Sequence, residues 1–144
     1  MTLRIAAQGD EPRIAALAGQ LGYPSGAQQV LSRLKRIQSD PAHRVVVADL
    51  PETGVAGWIH FFLYKVVESD LRLEIAALVV DETCRGRGVG KALMARAEEW
   101  AREQGCQAVS LRSNVVRQEA HEFYQGLGYT ILKTQHAFRK ILSG

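Results

Sequence analysis

The stretch from Ile75 to Lys91 constrains this chain most. Six consecutive apolar residues, Ile75-Ala76-Ala77-Leu78-Val79-Val80, are followed almost at once by Cys84-Arg85-Gly86-Arg87-Gly88-Val89-Gly90-Lys91. An unbroken apolar run of this kind reads as a strand covered on both faces, and so as a central strand of a sheet. From Val89 a long helix carries Leu93, Ala97 and Trp100 on one stripe and stops at Gly105, a residue suited to a left-handed C-terminal cap. Between strand and helix, Gly86, Gly88 and Gly90 let the backbone approach a ligand and aim successive N–H groups at one spot. The helix start adds partial positive charge, and Arg85, Arg87 and Lys91 add formal charge. Such a turn is suited to phosphate or pyrophosphate.

The rest of the chain frames this unit. Leu3 to Ala6 alternates like a short strand, Asp10 can cap a helix carrying Ile14, Leu17, Ala18 and Leu21, and Ser25 can cap a second carrying Val30, Leu31, Leu34 and Ile37. Arg44 to Leu50, the turn Pro51-Glu52-Thr53-Gly54 and Val55 to Tyr64 predict a β-hairpin, with a third strand from Arg72 to Val80. After the long helix come a strand at Val109 to Arg112, a short helix from about Gln118 to Gln125, and one or two last strands within Tyr129 to Leu142. The expected class is α/β (α+β), a mixed and mostly antiparallel sheet with helices on both faces, in the order β-α-α-β-β-β-α-β-α-β(-β).

Length and charge narrow the function. A chain of 144 residues, 47% hydrophobic, predicts one domain with a core that needs no staples. A net charge of +3 favours a compact anion over nucleic acid, for which basic residues cluster along a face. Cys84 and Cys106 form no ligand pattern, so no metal is expected and both thiols are expected reduced. The amino-terminal residues lack a signal-peptide apolar core and no run suits a membrane span, which predicts a cytoplasmic protein without membrane partners.

Spacing removes two identities for the turn. A P-loop needs GxxxxGK followed by Ser or Thr, whereas Gly86 to Gly90 is one residue short and Ala92 follows Lys91. A dinucleotide fingerprint needs GxGxxG early in a βαβ unit, whereas here the pattern is GxGxG and comes late. The remaining pattern, Arg85-x-x-Gly88-x-Gly90, resembles the [Gln/Arg]-x-x-Gly-x-[Gly/Ala] loop of the GNAT superfamily of acetyl-CoA-dependent N-acetyltransferases. Leu78-Val79-Val80-Asp81-Glu82 resembles the strand leading into that loop, and Ala120 to Tyr129 resembles the family's A-x-x-[LF]-Y-x-x-x-G-[FY] ending. The resemblance extends over nearly the whole chain and implies a single GNAT-like domain over residues 1–144.

It also implies a chemistry: direct transfer of acetyl from acetyl-CoA to a primary amine through a tetrahedral intermediate. Main-chain groups of the strand Leu78, Val79 and Val80 would hold the pantetheine arm, in a slot between this strand and Val109 to Arg112. The amides of Arg85, Gly86, Arg87, Gly88, Val89, Gly90 and Lys91 would hold the pyrophosphate. Many family members carry Asn three residues before the Ala of the ending; Arg117 stands there in this chain and Asn114 is the nearest asparagine, so both are candidate cofactor contacts.

Acyl transfer to an amine needs a base, an oxyanion donor and an acid for the thiolate. Tyr124 matches the family tyrosine near the cofactor sulfur and is the candidate acid; Glu74 is the candidate base, and strict strand alternation would place it on one face with Ala76 and Leu78. Glu74 could instead pair with Arg72. His60 reads as packed or pocket-lining beside Trp58 and Phe62. Tyr23, Trp58 and Phe62 are candidate walls of the acceptor site, with Glu68, Asp70 and Glu74 as counter-charge for a cationic amine. A small-molecule amine is the first expectation. A protein N-terminus or lysine is the second, and a non-catalytic acyl-CoA sensor is the competing class. The apolar tail would permit a homodimer.

Overall fold

The computed structural model describes residues 1–113 and 118–143. They fall into two compact units, Met1–Arg112 and Ser113–Gly144. The first unit contains β1 (Thr2–Ile5), α1 (Glu11–Gln20), α2 (Ala27–Gln38), β2 (His43–Leu50), β3 (Gly54–Val66), β4 (Ser69–Val80), a single 3₁₀ turn at Glu82–Cys84, α3 (Val89–Glu103) and β5 (Val109–Leu111). The second contains α4 (Gln118–Gly126), followed by a tail without assigned secondary structure among the described residues.

The five strands form one sheet in the order β1-β2-β3-β4-β5. β1 to β4 pair antiparallel and β5 joins β4 in parallel. Residues directly opposite each other share a face, so the register sorts the side chains. One face carries Val45 and Val47 of β2, Trp58 of β3 and Val79 of β4, packed on Ile14 and Leu17 of α1 and Val30 and Leu34 of α2. α3 covers the other face, where Phe61 of β3 meets Trp100 with ring centroids 5.4 Å apart. The expected sheet, mostly antiparallel with helices on both faces, is what forms.

Gly57 explains how closely α3 can sit. A Cβ at this position would lie 2.9 Å from the Val79 carbonyl oxygen, 3.0 Å from Val89 Cγ1 and 3.4 Å from Leu93 Cδ1. The bare glycine therefore lets the first turn of α3 rest against the sheet beside the end of β4.

Three expectations are corrected. Among the described residues, none after Tyr129 stands in a strand within its own unit. Ser25 is not the cap of α2. Gly26 takes that place, its N–H donating to Gln29 Oε1 at 2.8 Å, while Ser25 accepts from Arg33. The third correction concerns β4, whose alternation is broken. His60 faces Ala77 but Phe61 faces Ile75, so Ala76 is an extra residue bulged out of the ladder. Glu74, opposite Phe62, therefore shares its face with Ala77 and Val79 and not with Ala76 and Leu78.

Candidate functional site

β4 changes partners along its length. The β4–β5 ladder consists of Leu73↔Val109, Glu74↔Ser110 and Ile75↔Leu111, after which Ala76 to Val80 run on without a β5 partner. The Asp81 N–H donates to the Ala56 carbonyl at 2.8 Å, so hydrogen bonds at the odd-numbered positions near the strand end point to β3. By alternation, Leu78 and Val80 turn their main-chain N–H and C=O to the β5 side, where the ladder has ended. Val79 does the reverse, with its side chain buried in the core cluster below α1 and α2. Of the three strand residues singled out above, two thus turn main-chain groups to a side with no β5 partner among the described residues, and the third is packing.

Past Val80 the chain is locked before it reaches the glycines. Asp81 accepts from the Thr83 N–H at 3.1 Å and from Arg13 Nη2 at 2.8 Å, and Arg13 also donates to the Val55 carbonyl. The Arg13 guanidinium first, and the Thr83 amide second, hold the Asp81 carboxyl down to about 2. This clamp joins α1, β3 and the end of β4 at the entrance to the turn. Asp-x-Thr is a readable turn signal, but nothing local reveals Arg13, which lies 68 residues away.

The turn itself has Gly86 at φ +80° and Gly88 at φ +80°, the latter capping α3 in the left-handed region. Two left-handed residues spaced in this way fold successive N–H groups toward one concavity at the helix start. A Cβ at either glycine would meet nothing within 4 Å, so backbone conformation rather than crowding requires glycine and the space beside the turn is open. Val89 is buried against Gly57 and belongs to packing, whereas Arg85 and Lys91 are exposed. Arg87 is already engaged: its Nη2 lies 2.8 Å from Glu52 Oε1, which raises the guanidinium pKa and lowers that of Glu52. The partner comes from the β2–β3 hairpin turn, which the sequence gives no reason to place here.

Glu74 is buried, 8% exposed, with Oε2 3.8 Å from Arg72 Nε. Arg72 in turn lies over the Tyr64 ring at 4.2 Å. Phe62, opposite Glu74, stacks on His43 with centroids 4.9 Å apart, and His43 Nδ1 is 2.9 Å from His60 Nε2. Burial first and His43 second push the His60 pKa down to about 4. Trp58 and Phe62 stand on the same face of β3 with His60 between them, and Trp58 Nε1 is a buried donor without a hydrogen-bond partner among the described residues. Tyr23 is 71% exposed in the turn after α1. The histidine pair was missed as a unit because His43 and His60 meet only through the β2–β3 register.

In the second unit Tyr124 lies on α4 between Phe123, at 5.1 Å between centroids, and Tyr129, at 6.1 Å, both edge-on. The Tyr129 N–H donates to the Tyr124 carbonyl and Gly128 takes φ +96°, closing the helix and holding the two tyrosines together. Asn114 and Arg117 lie outside the described residues.

Comparison with known proteins supplies the family. A model of the acetyltransferase (GNAT) family matches residues 14–129. An uncharacterized N-acetyltransferase of Bacillus subtilis is 45% identical over 69 residues, 47% of this chain and 47% of that protein. The aminoalkylphosphonate N-acetyltransferase of Salmonella typhimurium is 45% identical over 56 residues, 39% of this chain and 36% of that protein. The matches thus span less than half the length of these curated relatives. Among solved structures, AAC(6')-Iy in complex with the bisubstrate analogue CoA-S-monomethyl-acetylneamine superposes with a TM-score of 0.84 at 18% identity, covering 98% of each chain, a likeness of fold. With the family model matched over most of its length and a glycine turn at the end of a half-released central strand, the chain belongs to the GNAT acetyltransferase family.

Proposed function

We propose that this chain is an N-acetyltransferase that moves acetyl from acetyl-CoA to a primary amine of a small molecule, and that residues 1–144 act as one domain. The observation that carries the reading is the free edge of β4. Leu78 and Val80 present main-chain donors and acceptors beyond the last β5 pair, and the same strand leads into the Gly86 and Gly88 turn. An extended amide-bearing arm ending in a diphosphate fits that pairing of an open strand edge with an anion-binding helix start. Bound there, acetyl-CoA supplies the activated acyl group. Arg85 and Lys91 are exposed cations without an ion pair among the described residues and would add to the turn amides, with Arg87 held by Glu52.

In this reading Glu74 takes the proton from the acceptor ammonium, directly or through water, and a main-chain N–H near Leu78 to Val80 faces the developing oxyanion. Tyr124 protonates the departing thiolate as the general acid. Trp58 and Phe62 line the acceptor side, and Tyr23 is an outer contact. The similarity to an aminoalkylphosphonate N-acetyltransferase supports a small-molecule acceptor.

Calorimetric titration with acetyl-CoA, followed by thiol release across a panel of amines, tests the reading. Saturable binding with thiol release on one amine class is expected; absence of binding would sink it. Tyr124→Phe should lower kcat by about 10²-fold with acetyl-CoA binding retained. Glu74→Gln should cost most at low pH, where the amine arrives protonated.

A further inference from the structure

We propose that the acceptor is a zwitterion, a small amine with a carboxylate or phosphonate one or two carbons from its nitrogen, and that Arg72 binds this anionic group while Glu74 meets the ammonium. The inference rests on the transferase reading above and adds to it the second charge of the acceptor.

The register brings the two side chains together. Phe62 faces Glu74, Leu63 faces Leu73 and Tyr64 faces Arg72, with no shift across these positions. Arg72 and Glu74 both precede the Ala76 bulge, so unbroken alternation puts them on one face of β4 with a single residue between. Their charged ends converge: Arg72 Nε is 3.8 Å from Glu74 Oε2, too far for a hydrogen bond. The side chains keep 27% and 11% of their surface exposed, so a small molecule can reach both.

Arg72 arrives with donors unspent. A guanidinium holds several N–H groups in a rigid planar fork. Nη1 donates to Ser69 Oγ at 3.0 Å, and Nε is buried with no hydrogen-bond partner among the described residues. The group lies over the Tyr64 ring, its Cζ 4.2 Å from the centroid, which fixes its plane and leaves its N–H groups directed along that plane, away from the ring. Ion pairs that build structure in this chain close fully, Arg13 on Asp81 at 2.8 Å and Arg4 on Asp10 at 2.8 Å. The Arg72–Glu74 pair stands open by comparison. Its opposite charges lie side by side, the arrangement that an α-amino acid presents in reverse.

Net charge separates this acceptor from other amines. Glu74 alone would favour a polycation; Arg72 beside it cancels that charge and repels a second ammonium. Burial first and His43 second hold the His60 pKa at about 4, so that ring adds no charge to the same face near pH 7. Past the pair the face continues as rings, Tyr64 with Phe62 at 6.3 Å between centroids and Phe62 stacked on His43 at 4.9 Å. An amino acid laid with its two charges on Glu74 and Arg72 has this wall for its side chain.

The test measures kcat and KM by thiol release for matched acceptors: several α-amino acids each against its own amide, 1-aminoethylphosphonate against ethylamine, and spermidine as a polycation. For the unsubstituted protein, kcat/KM should favour the anionic member of a pair by about 10- to 100-fold. The difference should fall mostly on KM, since Arg72 holds the anion alike in the ground and transition states. The larger of the carboxylate and phosphonate ratios names the anion. Arg72→Gln should bring the ratio close to one, and Arg72→Lys, a point charge without the fork, should keep part of it. Acid and amide used equally in every pair, or spermidine acetylated fastest, would overturn the zwitterion and leave the transferase standing. An Arg72→Gln loss equal on acid and amide, the mark of a merely structural arginine, would overturn it as well. No thiol release from any amine by the unsubstituted protein would overturn the transferase reading, and this inference with it. If Arg72→Gln does not fold, the unsubstituted protein decides at two salt concentrations: a ratio that falls as salt rises is expected, and one indifferent to salt would overturn the proposal.

Discussion

Arg87 shows how a single residue can look like a ligand contact and arrive already paired. Its guanidinium is held at 2.8 Å by Glu52 from a different turn, on the surface, where such pairs contribute little to stability and weaken with salt. Under the proposed function Glu52 competes with the bound diphosphate for Arg87. Glu52→Gln should therefore tighten acetyl-CoA binding by a few-fold at low ionic strength and by less at high salt, as read by calorimetry at two salt concentrations. Asp81 is the opposite case, a carboxylate whose partners build structure. Its pKa is held at about 2 against an ordinary 3.8, so the native state favours the ionised form. That contribution is complete above the ordinary value and is lost as pH falls from about 4 toward 2. Asp81→Asn should flatten the acid limb of a melting-temperature profile in this window and cost about 1 kcal/mol at neutral pH.

Among the elements, β4 and α3 are joined by a side chain that is missing. Gly57 admits Val89 and Leu93 to within van der Waals contact of the sheet, and one of its close neighbours is the Val79 carbonyl, which is backbone and cannot swing away. Gly57→Ala should destabilise the fold by about 1–3 kcal/mol, measurable by urea unfolding. It should also weaken acetyl-CoA binding, because the start of α3 moves with Val89. Most elements here were legible because their signals are local: the glycines that stop or start helices, the apolar stripe at Leu93 and Ala97, and the β-branched hairpin. The bulge at Ala76 was not legible. In an all-apolar strand every residue fits either face, so the run Ile75 to Val80 carries no phase from which a one-residue slip could be read. That slip reassigned the face of Glu74 relative to Leu78.

Across the whole molecule, the contacts that shape the site are the long-range ones. Arg13 with Asp81, His43 with His60, and Glu52 with Arg87 each join segments whose proximity only the sheet register or the helix packing creates. The glycine turn, the apolar strand and the tyrosine helix could be named from residues alone, whereas the partners that lock, occupy or extend them could not. The tail is the converse, apolar enough to suggest strands but lacking, in its own unit, a ladder to join. The short β4–β5 ladder has a consequence that can be timed. Within one strand, the amide hydrogens of Leu73 to Ile75 sit in a sheet closed on both sides, Val79 is buried toward β3, and those of Leu78 and Val80 have no β5 acceptor. In deuterated solvent these alternate amides should part into slow and fast classes residue by residue. If the open edge is where acetyl-CoA lies, adding it should slow Leu78 and Val80 and leave their neighbours' clocks unchanged.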